Sequence, residues 1–230
     1  MNHLERLLAG PPNAADPAVQ RFRAALAIRA QEHDLLDVAY RTVDTPVGQV
    51  LLAATPAGLV RVAYARQGHD AVLTALASQI SPRVLFAPRR LDDAARQLDG
   101  YFARDRRDFD LAVDLRLAHG FRRAVLEHLP DVGYGRTVSY GELAAEVGNP
   151  GAARAVGSAC AANPLPLIIP CHRVVLSDGS PGGYIGGPEI KRALLELEQT
   201  PPALRLDLTR RGADALTTQR ARHQPRGENP

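Results

Sequence analysis

The chain has 230 residues, 45% of them hydrophobic, and a formal net charge of only +3. That is enough apolar material for a packed core and too much for a disordered protein, while two cysteines exclude a disulfide framework and show no zinc-type spacing. No stretch approaches the ~20 apolar residues of a membrane helix and no apolar run follows the first charges, so a cytoplasmic protein without a secretory leader is expected.

In chain order, residues 1–36 read as an extension. "LERLLAGPPNAADPA" starts a short helix that Pro11-Pro12 breaks, and the spacing of Val19, Phe22, Leu26 and Ile28 predicts a helix over 19–31. Residues 37–113 read as a small α+β unit. Three strand-like runs are separated by Thr45-Pro46-Val47-Gly48 and Thr55-Pro56-Ala57-Gly58, and proline followed by glycine at that spacing marks tight turns, hence an antiparallel meander. Helical periodicity follows over 70–80 and 91–103. Nothing in this unit carries obvious chemistry, and its reading is structural.

Residues 114–200 differ. "AHGFRRAVLEHL" is an amphipathic helix over 118–129. Ser139 and Glu142 form a capping box at the head of "SYGELAAEVG", which Gly148 ends. Asn149 and Pro150 then suit the start of a second helix, "GAARAVGSACAA", which stops at Asn163-Pro164. Two short helices joined by a glycine-containing turn suggest a helix-turn-helix. The second is nearly all Ala, Gly and Ser, with Arg154 its single charged residue. Such a surface serves tight helix packing or close approach to a DNA backbone, and these two readings stand level. Arginine outnumbers the single lysine, Lys191, which suits phosphate contacts but is weak evidence for nucleic acid.

Cys171 lies in "IPCHRV", after the apolar run Leu167-Ile168-Ile169 and the rigid Pro170. One reading is an inert cysteine at a strand end. The other is a nucleophile, because His172 can accept a thiol proton and a carboxylate can orient the imidazole. In an extended strand residues 171 and 172 face opposite ways, so a Cys–His link needs a turn or a bridging water. "PGGYIGG", residues 181–187, is a glycine-rich loop around Tyr184 and lacks the ending of a phosphate loop. In "PEIKRALLELEQ", Ile190, Leu194 and Leu197 form an apolar stripe that Glu198 borders, so Glu198 needs a partner such as His172 or an arginine. Residues 201–230, with six arginines and four prolines, read as a disordered tail. A thioester on Cys171 would be cleaved by water, as in a hydrolase. A thioether would not, and the protein would be spent after one event.

The motifs "GRTVSYGELAAEVGNPGAARAVGSACAANPLPLIIPCHRVV", "GGYIGG" and "KRALLELE" resemble the O6-alkylguanine-DNA alkyltransferases, the methylated-DNA–protein-cysteine methyltransferases, over about residues 38–200. The resemblance implies an α/β (α+β) fold: a small amino-terminal antiparallel-sheet/helix domain, ribonuclease H-like, at 37–113, and a carboxy-terminal winged-helix-like helix-turn-helix domain at 114–200. It implies irreversible transfer of an alkyl group from guanine O6, and from thymine O4, to Cys171, with His172 activating the thiol through a water and Glu198 orienting His172. Asn163 would hold the turn that shapes the site, and Tyr140 would donate a proton to the departing base. Arg154 would fill the gap left by a flipped nucleotide, with Ser139, Tyr140 and Ala153 beside it against the minor groove. Tyr184, Val174, Ile185 and Gly186 would border the base pocket. The implied partner is double-stranded DNA containing alkylated guanine, with no cofactor, no metal, no membrane and no obligate protein partner. Ile185 departs from the serine or alanine of the family pattern, which bears on how large an alkyl group fits. With cysteines only at 160 and 171, no thiolates exist for the amino-terminal zinc site of some relatives. Two alternatives are a lesion sensor of the alkyltransferase-like type, which lacks the acceptor cysteine, and a Cys–His hydrolase, against which the helix-turn-helix speaks.

Overall fold

The computed structural model describes residues 17–33 and 35–199; the short helix expected before Pro12 and the tail over 201–230 lie outside the described residues. The described residues form seven α-helices, a four-stranded sheet and a two-stranded one. Helix α1 spans Pro17–Glu32, longer than its apolar spacing suggested, and Phe22 and Leu26 face solvent rather than a core.

The Pro-Val-Gly and Pro-Ala-Gly punctuation turns the chain twice. Strands β1 (Val38–Thr45), β2 (Gly48–Thr55) and β3 (Gly58–Tyr64) pair antiparallel, from Thr45 opposite Gly48 and Thr55 opposite Gly58. After helix α2 (His69–Gln79), a short β4 (Val84–Phe86) joins parallel to β1, so the sheet is mixed, in the order β3-β2-β1-β4. Three residues carry too little alternation to announce a strand. The run Val50-Leu51-Leu52-Ala53 does not alternate because both sheet faces are covered. Leu51, Ala53, Val60 and Ala63 pack under Val72 and Leu76 of α2, while Val50, Leu52, Val62 and Tyr64 join Leu98 of α3 (Asp92–Phe102) on the other face. Full burial of each such leucine is worth roughly 2 kcal/mol.

The outer edge of β3 is not left open. Leu59 N–H donates to Ala112 O and Asp114 N–H to Leu59 O, and further along Val62 N–H donates to Pro164 O at 2.8 Å. Strand β3 is therefore joined by one backbone hydrogen bond to the segment that leads to Cys171. Gly58, at φ 141°, admits Ala112 against its α-carbon, where an added Cβ would lie 2.4 Å from that carbonyl oxygen.

Beyond the sheet come α4 (Gly120–His128), β5 (Val138–Ser139), α5 (Tyr140–Glu146), α6 (Ala153–Ala161), β6 (Val174–Val175) and α7 (Pro188–Gln199). The capping box forms as its residues predict: Glu142 N–H donates to Ser139 Oγ at 3.2 Å, and Ser139 N–H to Glu142 Oε2 at 2.8 Å. Helix α5 ends with Gly148 at φ 78°, Gly148 N–H donating to Ala145 O and Asn149 N–H to Ala144 O. Helix α6 starts later than Asn149 and Pro150 suggested. Residues 149–152 close a turn of their own, with Ala152 N–H on Asn149 O, and the helix proper opens at Ala153 without a side-chain cap. The packing reading of its small residues holds on one face. Val156, Ala159 and Cys160 are buried against α4 and α5, while Arg154, Ala155 and Ser158 are exposed. Among the described residues no helix is long and apolar enough to cross a membrane.

Candidate active site

Cys171 is not on a strand. The run Leu167-Ile168-Ile169 lies in an irregular loop with Leu167 at φ 76°, and Cys171–Arg173 form a single 3₁₀ turn after Pro170. Asn163, fully buried, holds that loop across its neck: its Oδ1 accepts from Leu165 N–H and its Nδ2 donates to Ile169 O, each at 2.9 Å. The same Nδ2 lies 3.1 Å from Cys171 Sγ. The thiol is 2% exposed. Burial pushes its pKa up to about 11, against the downward pull of Asn163 and Lys191, so it rests protonated and needs a base.

The turn that replaces the strand directs His172 inward, onto α7. His172 Nε2 donates to Glu198 Oε1 at 2.8 Å, with both side chains buried. Glu198 collects three further partners. Arg173 binds it through Nε and Nη2, each at 3.0 Å, Tyr101 O–H donates at 2.7 Å, and Gly135 N–H donates at 3.1 Å. Burial alone would raise this carboxyl's pKa, but the hydrogen bonds from His172 and Arg173 outweigh it and hold it at about 2. Glu198 is therefore ionised and only accepts. His172 must carry its hydrogen on Nε2, which leaves a lone pair on Nδ1. Nδ1 is buried and has no hydrogen-bond partner among the described residues. Burial also lowers the His172 pKa, so the imidazole is neutral at rest. Arg173 already balances the carboxylate, and a second cation beside it is disfavoured.

Strand pairing brings the distant residues together. Val138 and Ser139 of β5 lie in parallel register with Val174 and Val175 of β6, so Tyr140 emerges beside the segment that follows Cys171. Tyr140 is half-buried, and burial raises its phenol to about 12. Gly157 of α6 lies beside its ring, where an added Cβ would make an ordinary contact at 3.8 Å. Tyr184 and Ile185 are half-buried and Gly186 is buried; the Tyr184 ring meets His172 edge-on at 6.4 Å. The backbone carbonyl of Val174 accepts from Lys191 Nζ at 2.6 Å.

The structure thus gathers in one region Cys171 on Asn163, His172 on Glu198 and Tyr184, and the Val174 backbone on Lys191, with Tyr140 at its edge. Arg154, Ala153 and Ser139 lie outside it. Arg154 is exposed and makes no ion pair among the described residues, Ala153 is half-buried at the head of α6, and the Ser139 hydroxyl is occupied in the capping box. The residue reading missed four contributors. Arg173 sits beside His172, and the residues alone do not single it out among the arginines that could partner Glu198. Lys191, fully buried, donates to Val174 O and to Gly183 O at 3.2 Å, tying β6 to the glycine loop. Its signal was available: it lies three residues before Leu194 and seven before Glu198, on the inward face of α7. Tyr101 and Tyr64 come from the sheet unit, and no local pattern marks them. Among the described residues no group of three His, Cys, Asp or Glu is placed to hold a metal ion.

Comparison with known proteins fits this geometry. Residues 38–115 match the family model of the 6-O-methylguanine DNA methyltransferase ribonuclease-like domain, and residues 120–200 that of the DNA binding domain of the same proteins. A methylated-DNA–protein-cysteine methyltransferase of Mycolicibacterium paratuberculosis is 39% identical over 171 residues, covering 74% of this chain and 98% of its own. The Homo sapiens protein of that name is 38% identical over 164 residues, 68% of this chain and 78% of its own. The crystal structure of Mycobacterium tuberculosis O6-methylguanine methyltransferase superposes with a TM-score of 0.64 at 40% identity, covering 74% of this chain and 98% of that one. A structure of the tuberculosis OGT in complex with DNA gives 0.62 at 40% identity, covering 70% and 92%.

Proposed function

The chain belongs to the 6-O-methylguanine DNA methyltransferase family, and from that membership we propose how its own side chains perform the reaction. The protein is a direct-reversal DNA repair protein. It takes the alkyl group from O6-alkylguanine in DNA onto one of its own cysteines, once per molecule, and we extend the substrate to O4-alkylthymine.

Cys171 is the acceptor. Neutral His172 draws the thiol proton onto Nδ1 across a bridging water, and ionised Glu198 stabilises the imidazolium that forms. Sulfur forms its bond to the alkyl carbon as the carbon–O6 bond breaks, and that electron pair passes into the guanine. Tyr140 gives its phenolic proton to the ring and so improves the leaving group. The proton held on His172 balances the one Tyr140 has lost, and exchange through solvent restores both. The thioether offers water no leaving group, so the protein is spent. The observation that carries this reading is the buried His172–Glu198 pair with the bare Nδ1, next in sequence to a buried, protonated thiol.

The alkylated oxygen lies within the base stack, so the nucleotide must leave the duplex to meet Cys171, at a few kcal/mol. The exposed small-residue face of α6 lies against the minor groove, and Arg154 fills the vacated space. Tyr184, Ile185, Gly186 and the Val174 backbone border the flipped base. Residues 37–113 form the sheet domain and 114–200 the DNA-binding and acceptor domain. The protein acts in the cytoplasm, where its two free cysteines stay reduced. Replacement Cys171→Ala tests the assignment: transfer is expected to vanish while binding to alkylated duplex persists, and intact transfer would move the acceptor elsewhere.

A further inference from the structure

Tyr64, the last residue of β3, lies in the sheet unit that carried no chemistry in the sequence, yet its side chain reaches Tyr184. It is 1% exposed, and its hydroxyl lies 2.8 Å from that of Tyr184. The two rings meet edge to face at 5.8 Å. Gly186 passes between them: an added Cβ would lie 2.7 Å from Cε2 and 2.9 Å from Cδ2 of Tyr64, and 3.0 Å from Cε1 of Tyr184. The Tyr64 side is fixed as well, because its N–H donates to Gln67 Oε1 at 3.0 Å and, two residues earlier, Val62 N–H is bound to Pro164 O. Burial raises both phenols, so each keeps its hydrogen and one can always donate to the other.

We propose that Tyr64 is a positioning residue that sets alkyl-group specificity, pinning Tyr184 through the paired hydroxyls and closing the pocket wall down to a methyl-sized space. The proposal rests on the reading of Tyr184 and Gly186 as that wall. A tethered Tyr184 holds a small group in line with the Cys171 sulfur, because neither ring can swing away from Gly186. An untethered Tyr184 gives room to a larger group and holds a methyl group less well.

The test is single-turnover alkyl transfer to Cys171 by the full chain, wild type and Tyr64→Phe, from duplexes of one sequence carrying O6-methylguanine or O6-benzylguanine. The phenylalanine keeps the ring contacts with Gly186 and removes only the hydroxyl. Methyl transfer is expected to slow about fivefold, the factor one neutral hydrogen bond supplies, while benzyl transfer slows less or accelerates, so the benzyl-to-methyl ratio rises. Tyr184→Phe is expected to raise the ratio equally, and the double variant no further. A merely structural role would slow both transfers by one factor; that result, or no change in either, overturns the role of Tyr64. The wild-type arm tests the transfer reading separately, since a wild type that moves neither group overturns that reading and this inference with it.

Discussion

Cys171 and Cys160 are both buried thiols, and their surroundings separate them. Cys160 lies on the inward face of α6 with its pKa raised by burial, and among the described residues no imidazole or side-chain amide hydrogen-bonds its sulfur. Cys171 has the Asn163 amide at its sulfur and is followed by a neutral imidazole with a free lone pair. Only Cys171 should carry the alkyl group after reaction, which peptide mapping checks. The same chemistry sets a pH profile. A thiol that worked as its own thiolate would react about tenfold faster per pH unit until near pH 11. With His172 as base, the rate should instead be flat above pH 6.5 and fall only as the imidazole charges below it. Stability follows the same sign at both groups. His172, with its pKa depressed from 6.5, resists charging when folded, so folding weakens as pH drops below 6.5; Glu198, held at about 2 instead of 4.5, adds stability that is complete above 4.5 and is lost as pH falls toward 2. Acid unfolding monitored by circular dichroism should therefore begin on the acid side of 6.5 and steepen below 4.5. The reactive residues were legible because they stand in one short string, and Glu198 because helix periodicity turned it inward. Lys191 is legible by the same spacing, although a lysine on a helix is usually solvated.

At the scale of elements, α5 and α6 do different work with similar sequences. Helix α5 is specified locally, by Ser139 and Glu142 at one end and Gly148 at the other, and the sequence described it to the residue. Replacing Ser139 with alanine removes the hydroxyl that receives Glu142 N–H and should cost about 1 kcal/mol of unfolding free energy in urea. Helix α6 has no side-chain cap, and the turn closed by Ala152 N–H on Asn149 O precedes it, so the helix opens later than the Asn149-Pro150 signal suggests. Its exposed arginine predicts a split between substrates. Arg154→Ala should slow repair of alkylated duplex by on the order of tenfold or more, while reaction with free O6-benzylguanine base keeps its rate, because a free base needs no flipping. Equal slowing of both would remove the wedge. Of the two readings of the apolar run before Cys171, the strand is not formed: Asn163 binds Leu165 N–H and Ile169 O and holds the segment in a loop.

At the scale of the molecule, the sheet unit supports the site rather than merely preceding it. Tyr101 from α3 donates to Glu198, Tyr64 from β3 meets Tyr184, and β3 is bonded to Pro164. These contacts span 97 and 120 positions along the chain, which is why no local pattern announced them. Tyr101→Phe strips one donor from a buried carboxylate and should lower stability by about 2 kcal/mol in urea unfolding, with binding to undamaged duplex unchanged. The central claim is that one buried thiol receives one alkyl group and keeps it. Intact-protein mass spectrometry after mixing with excess duplex that carries a single O6-methylguanine tests it most directly. The expected result is a gain of one methylene's mass, mapped to Cys171 and never exceeding one per protein. Tight binding to the lesion with no gain in mass, or repeated turnover on an unmodified protein, would contradict it.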